Sequence, residues 1–266
     1  MKTLITYQKI LFCTIFLFYS SMVCAQYQKS YSFEHYVVES DTLNYRMLLP
    51  NNFDASKQYP LVLFLHGAGE RGSDNEKQLV HGSNLFVENR ASFPAIVIFP
   101  QCPQNDYWAN ATIDRTTKPI SLNFPLDMEP TKSLQMVMDL MDTLLSKPYV
   151  NKSQVYVGGL SMGGMGTFEM LYRKPELFAA AFTICGAGNP EATKKYAQTT
   201  PMWIFHGAND DVVNPQASID MVSGILKYGG KPNFILYAKD NHNSWDSAFA
   251  EPELLTWLFS NSKPKQ

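Results

Sequence analysis

Six short apolar runs, at residues 61–65, 95–99, 154–157, 179–184, 202–205 and 233–237, set the tightest limit on how this chain can fold. Each is almost continuously apolar, as a strand must be when helices cover both faces of its sheet. Longer segments at helical spacing separate them. Residues 131–146 place Leu134, Val137, Met138, Met141, Leu144 and Leu145 on one stripe and stop before Pro148. Residues 163–173, 216–228 and 251–259 supply the other helices. This alternation predicts an α/β fold on a mostly parallel, doubly wound sheet of about eight strands, with right-handed crossovers placing helices on both faces. Residues 31–38 and 43–49 alternate instead, and Glu39-Ser40-Asp41 joins them as an antiparallel pair.

Hydrophobic residues form 45% of the 266, enough for a sizeable core and too many for a disordered chain. A net charge of −2 gives no electrostatic pull towards nucleic acid or an anionic membrane. Residues 26–266 show no linker or internal repeat and read as a single domain. Within them, residues 101–130 fit neither period and carry Pro103, Pro119, Pro125 and Pro130. A loop of that length inside a domain is expected to serve as a lid or a pocket wall.

Residues 1–25 read as an export signal peptide. Lys2 and Lys9 precede an apolar stretch at 10–19, and Val23-Cys24-Ala25 offers a cleavage site before Gln26. Ten helical residues span about 15 Å, half the hydrocarbon thickness, so no stable membrane insertion is expected. Val23 is a poor residue before an acylated cysteine, which disfavours a lipid anchor on Cys24. The expected location is secreted or periplasmic. Cys102 and Cys185 then remain; they either pair in an oxidising compartment or stay as small buried thiols beyond separate strands, the arrangement expected here.

The strongest local signal is Gly159-Leu160-Ser161-Met162-Gly163, a G-x-S-x-G pattern where an apolar strand hands over to a helix. A serine on so sharp a turn presents its hydroxyl at a helix N-terminus, beside backbone N–H groups. A plain glycine-rich turn is the bland alternative. A dinucleotide loop fits worse, because Glu169 stands where its third glycine belongs.

A serine nucleophile needs a base and an orienting acid. Of five histidines, His242 alone follows the last strand, in a loop at the carboxyl ends of the strands where functional crevices form. His66 and His206 each precede a glycine at a strand end; His66 reads as a hydrogen-bonder under its loop. The acid should follow the 202–205 strand, where Asp210 and Asp211 compete. Asp210 is preferred, with Asp211 pointing elsewhere to cap 214–216. The order Ser161, Asp210, His242 is that of α/β-hydrolases. His66-Gly67-Ala68-Gly69-Glu70-Arg71-Gly72 can bring amides to a carbonyl, so the oxyanion donors are expected at Ala68 and Met162. Glu70 and Arg71 either bind substrate or, the reading preferred here, form an ion pair that holds the loop.

These residues carry a family resemblance that covers nearly all of 26–266. The chain resembles the α/β-hydrolase superfamily. Leu-His-Gly-Ala-Gly-Glu-Arg-Gly at 65–72, Phe-Pro-Gln-Cys-Pro at 99–103, Gly-Leu-Ser-Met-Gly-Gly at 159–164 and Phe-His-Gly-Ala-Asn-Asp-Asp-Val-Val at 205–213 are similar to its exported phospholipase/carboxylesterase-like branch. That branch lies close to dienelactone-hydrolase-like and feruloyl- or acetyl-type carbohydrate esterases. The resemblance implies an α/β-hydrolase fold and hydrolysis of a small-molecule or carbohydrate ester, with acyl esters on plant polysaccharides as the preferred substrates.

No metal or cofactor is expected: H-E-x-x-H, C-x-x-C and calcium-loop spacing are all missing from the sequence. Trp108, Tyr107, Phe124 and Trp245 fall in loops at the expected site and either line an acyl or sugar pocket or pack the long loop. Two other functions stay open on the same fold, a small serine peptidase of prolyl-oligopeptidase-like type and a non-catalytic binding protein.

Overall fold

The computed structural model describes residues 27–264. The signal-peptide reading of 1–25, with Cys24 and the expected new N-terminus at Gln26, lies outside the described residues. Strands β1 (Ser32–Val38) and β2 (Asp41–Leu48) form the antiparallel pair, in register from Ser32 opposite Met47 to Val38 opposite Asp41. Then come β3 (Tyr59–Leu65) and β4 (Ile96–Pro100). Later strands are β7 (Val150–Leu160), β8 (Ala180–Ile184), β9 (Met202–Gly207) and β10 (Asn233–Tyr237). The eight form one sheet in the order β1-β2-β4-β3-β7-β8-β9-β10, parallel from β4 onward. This is the α/β-hydrolase arrangement.

Continuous apolar runs are needed because alternate residues of each strand enter different cores. Leu61, Leu63, Val155, Val157 and Ile204 face one; Val62, Phe64, Tyr156, Trp203 and Phe205 face the other. The first core is covered by α2 (Lys132–Leu145), α3 (Met162–Arg173) and α4 (Gln216–Lys227), through residues such as Val137, Phe168 and Met221. The second is covered by α1 (Ser83–Glu88), α5 (Trp245–Phe249) and α6 (Leu254–Ser260). At about 1.5–3 kcal/mol per buried large apolar side chain, the fully buried stretch Leu61–Leu65 alone anchors the sheet strongly. Cys102 and Cys185 are free, buried and in opposite cores, so the sheet itself separates them.

The 101–130 segment is more ordered than its proline content suggested. It holds a small antiparallel ribbon, β5 (Thr112–Asp114) with β6 (Ser121–Asn123). Polar contacts fasten the segment to helices: Asp106 accepts from the Ser133 amide and hydroxyl and Glu169 accepts from the Asn110 amide, all half-buried, and at the surface Arg173 donates to the Met128 carbonyl. It is therefore built as a wall. Helices α1 and α5 also went unforeseen; each is shorter than two turns, too brief to show a period.

Candidate active site

Ser161 occupies the single turn between β7 and α3. Its φ is 52° and its ψ −118°, a sparsely populated region for a side-chain-bearing residue that costs about 1–3 kcal/mol. The turn is held where two backbones touch. A Cβ on Gly163 would lie 1.8 Å from the Leu65 carbonyl oxygen, and one on Gly159 would lie 2.3 Å from the Gly163 carbonyl oxygen. The Ser161 amide, turned inward, donates to Ile184 O at 2.8 Å. These contacts leave the hydroxyl facing the cavity at the positive end of α3.

His242 arrives from the loop after β10. Ser161 Oγ lies 3.0 Å from His242 Nε2, and His242 Nδ1 lies 2.7 Å from Asp210 Oδ2. The ionised carboxylate only accepts, so Nδ1 carries the imidazole proton and Nε2 is left free to receive one from Ser161. Asp210 is the carboxylate brought to His242. Asp211 is exposed, and the 214–216 turn is capped by Asn214, whose side chain accepts from the Gln216 amide, rather than by Asp211 as expected from the sequence.

The Asp210 carboxylate is buried and fully engaged. Oδ1 accepts from the amides of Val212 and Val213, both at 2.9 Å. Oδ2 lies 3.1 Å from His206 Nε2 in addition to the His242 bond. Burial works to raise its pKa, but the bonds from His206, His242 and the Val212 amide outweigh it and hold the carboxyl well below the usual range. In the sequence His206 reads only as a strand-end histidine, and the structure brings its ring to the Asp210 carboxylate. Its Nε2 faces two acceptors, Asp210 and the Val213 carbonyl at 3.0 Å, so it must carry the proton, while Nδ1 is 2.7 Å from Ser218 Oγ. The spacing was the available signal: His206 and Asp210 are four apart across one tight turn. His206 thus positions the acid. His206→Phe is expected to lower kcat about 10–100-fold, the worth of a hydrogen bond to a charged group, with KM little changed. His206→Gln, which keeps a donor near Nε2, should recover part of that loss; equal loss in both variants would show that the ring only fills space.

Ala68 begins a one-turn 3₁₀ helix, Ala68–Glu70, and Met162 begins α3. First-turn amides have no intrahelical acceptor, so neither N–H is spent within its helix, which suits both to the oxyanion role expected for them from the sequence. Under the loop, His66 Nε2 accepts from the Cys102 amide at 3.0 Å and Nδ1 lies 2.6 Å from the Gly67 carbonyl. Burial pulls the His66 pKa down to about 4. Because this is below the unfolded histidine value of about 6.5, the unfolded chain takes up the proton first and stability drains away as pH falls from 6.5 towards 4, by up to about 3 kcal/mol. Thermal melts should show this slope in the wild type. His66→Asn should melt lower at pH 7 but lose much of the slope; an unchanged slope would exclude His66 as its source.

Arg71 does hold the loop, though not by pairing with Glu70. It donates to the carbonyls of Ala68, Gln104 and Asp106 and lies over the Tyr107 ring. Glu70 turns instead towards His81, 3.9 Å away. Both line a cavity of about 230 Å³ above Ser161 and His242, together with Tyr107, Ile120, Met165, Val213 and Trp245. Trp108 is not among them. It is fully buried, with Nε1 donating to the His66 carbonyl, so packing and not pocket-lining is its role. Phe124 is likewise elsewhere, in a small neighbouring cleft with Leu126 and Tyr172. Of the four loop aromatics expected at the site, Tyr107 and Trp245 border the cavity over Ser161, and Trp108 and Phe124 do not.

Cys185 Sγ, with Asp210 and His242, forms the grouping of three metal-ligating side chains found among the described residues, within 4.8 Å of one another. The set is a poor fit to an ion. Burial raises the Cys185 thiol well above its usual pKa, and a metal would have to break the His242–Asp210 bond.

Strand order, a strained serine at the β7–α3 turn and the histidine–aspartate pair behind it define an α/β-hydrolase of the nucleophile-elbow kind. The chain belongs to the phospholipase/carboxylesterase family, whose model matches residues 52–252. It is similar to a crystallised thermostable esterase, with 31% identity and a TM-score of 0.79 over 90% of this chain and 64% of that one. It is 34% identical over 101 residues to the bifunctional acetylxylan esterase/xylanase XynS20E of Neocallimastix patriciarum, covering 38% of this chain and 14% of that protein. It is also 29% identical over 129 residues to lysophospholipase-like protein 1 of Mus musculus, covering 47% of this chain and 53% of that one. The chain thus spans less than two thirds of each of these proteins. Among the described residues no helix is long and apolar enough to cross a membrane.

Proposed function

We propose that this protein is an exported serine carboxylic-ester hydrolase, acting on acetyl or feruloyl esters of plant polysaccharides. The observation that carries the chemistry is the unbroken line from Ser161 Oγ through His242 to Asp210, at 3.0 and 2.7 Å, opening onto the cavity. Support for the substrate comes from the similarity to an acetylxylan esterase, and for export from the leader-like sequence at 1–25.

Each step conserves its protons. His242 Nε2 takes the Ser161 hydroxyl proton as Oγ attacks the ester carbon, and the carbonyl electron pair moves onto oxygen. The amides of Ala68 and Met162 hold that oxyanion, while Asp210 stabilises the imidazolium. As the tetrahedral species collapses, the carbon–alcohol bond breaks and His242 returns its proton to the departing oxygen. Water then gives a proton to His242 and hydroxide to the acyl carbon; the acid leaves and the proton returns to Ser161.

A fluorophosphonate probe tests the reading directly. One equivalent should bond to the Ser161 peptide, and a hydrolysis panel of acetyl, butyryl, feruloyl and long-chain esters should show turnover that the probe abolishes. A protein that neither reacts with the probe nor turns over any ester would be a binding protein on this fold. Turnover of peptides with none of esters would mark a peptidase.

A further inference from the structure

The cavity over Ser161 has two unlike walls. Tyr107, Ile120, Met165 and Val213 come from one apolar cluster beneath the β5–β6 ribbon. The other wall starts at the base itself. Trp245 meets His242 edge to face with ring centroids 5.6 Å apart, His81 packs on Trp245 at 4.9 Å, and Glu70 Oε1 lies 3.9 Å from His81 Nε2. These three residues border the same cavity as Ser161.

Glu70 is the unusual member. Its side chain is 14% exposed, and among the described residues His81 is its sole charge partner, at the limit of contact. Arg71, the nearest cation in sequence, is occupied by three carbonyls. With no side-chain donor closer than His81 among the described residues, and with a place on the cavity wall, the Glu70 carboxylate keeps acceptor sites that donors on a ligand can fill.

The reaction fixes which half of an ester meets which wall. His242 Nε2 must hand its proton to the departing oxygen, so the alcohol half lies against the wall that begins at His242. The acyl half is left with the apolar wall. We infer that Glu70, His81 and Trp245 form the subsite for the alcohol half and select a polyhydroxy alcohol, with a hydroxyl beside the ester oxygen donating to the Glu70 carboxylate. The C–H face of the same alcohol stacks on the Trp245 ring, a surface suited to a sugar ring that is apolar on its faces and polar at its edge. This inference rests on the polysaccharide-ester reading of Ser161 and adds to it the residues that meet the alcohol half and the one that selects it.

Two substrates and one variant test it. The first substrate is a methyl xyloside bearing a single O-acetyl group; the second is the same compound with its remaining hydroxyls methylated. The wild type should prefer the first in kcat/KM by about 10–100-fold, the worth of a hydrogen bond to a charged acceptor, expressed mostly in KM. Glu70→Gln should collapse that ratio to within a few-fold of one. The wild-type comparison stands even if the variant folds poorly. Equal wild-type rates on the two esters would overturn the subsite, as would a Glu70→Gln variant that slows both in parallel. A Glu70-dependent preference for esters of amino acids with a free α-ammonium group would overturn it too, reassigning the carboxylate to a cation. Turnover of p-nitrophenyl acetate by the wild type separates the two levels: its presence isolates a failure of the subsite, and its absence together with no xyloside turnover removes the ester-hydrolase reading and the subsite with it.

Discussion

Ser161→Ala is expected to lower kcat for any ester substrate by about 10⁴–10⁶-fold and to abolish fluorophosphonate labelling, because the oxyanion amides and binding contacts are all that remain of the catalytic apparatus. The fold should survive the change. Alanine keeps the Cβ, so the positive φ at this position is no worse for it than for serine, and the inward amide bond to Ile184 is untouched. Circular dichroism melts of the variant should therefore overlay the wild type within a few degrees. Hydrolysis that persisted in a folded Ser161→Ala protein would mean that water is activated without the serine, and the acyl-enzyme route would be wrong.

The second large effect belongs to Asp210. Asp210→Asn should cost about 10³–10⁴-fold in kcat, as is found when a triad histidine is left in the wrong tautomer. The reason is specific to this pocket. Both Nδ1 of His242 and Nε2 of His206 present N–H groups to the same oxygen, Oδ2. An asparagine amide can offer its oxygen to the backbone amides of Val212 and Val213 only by turning its own NH₂ towards the histidines. His242 then accepts at Nδ1 and carries its proton on Nε2, facing Ser161 with nothing to receive. Asp211→Asn should change kcat less than about threefold, since its exposed side chain makes no contact with the relay and surface changes of this kind are usually worth within 0.5 kcal/mol. A reversed ranking of the two variants would show that the neighbouring carboxylate had been mistaken for the acid.

Much of this architecture was legible in the sequence because burial on both faces leaves a strong mark. The runs at 61–65, 154–157 and 179–184 became the middle of the sheet, and the 233–237 run matches β10 end to end. Ser161, Asp210 and His242 could be brought together on paper because each follows a recognisable strand, and parallel strands deliver their carboxyl ends to one edge. What stayed hidden was set by contacts distant in sequence. Trp108 reads like any loop aromatic until its indole is seen bonded to the His66 carbonyl, 42 residues away. The choice of Arg71 for three carbonyls over the adjacent Glu70 is likewise invisible in a linear string, since both partners satisfy the same local pattern. His206 was overlooked for the opposite reason: its bond to Asp210 is local, but a histidine before a strand-end glycine carries no mark of which way its ring turns.

The β5–β6 ribbon makes one backbone contact with wider reach. The Ile120 amide donates to the Val212 carbonyl at 2.9 Å, and Val212 in turn donates its own amide to Asp210. The strip that shapes the apolar side of the cavity is thus bolted to the loop that carries the acid. On the proposed ester-hydrolase reading, acyl preference and turnover are then not separate modules. Grafting a foreign ribbon to change the substrate would tug on the carboxylate through a single peptide unit, so a successful transplant would have to bring residues 205–214 along with it.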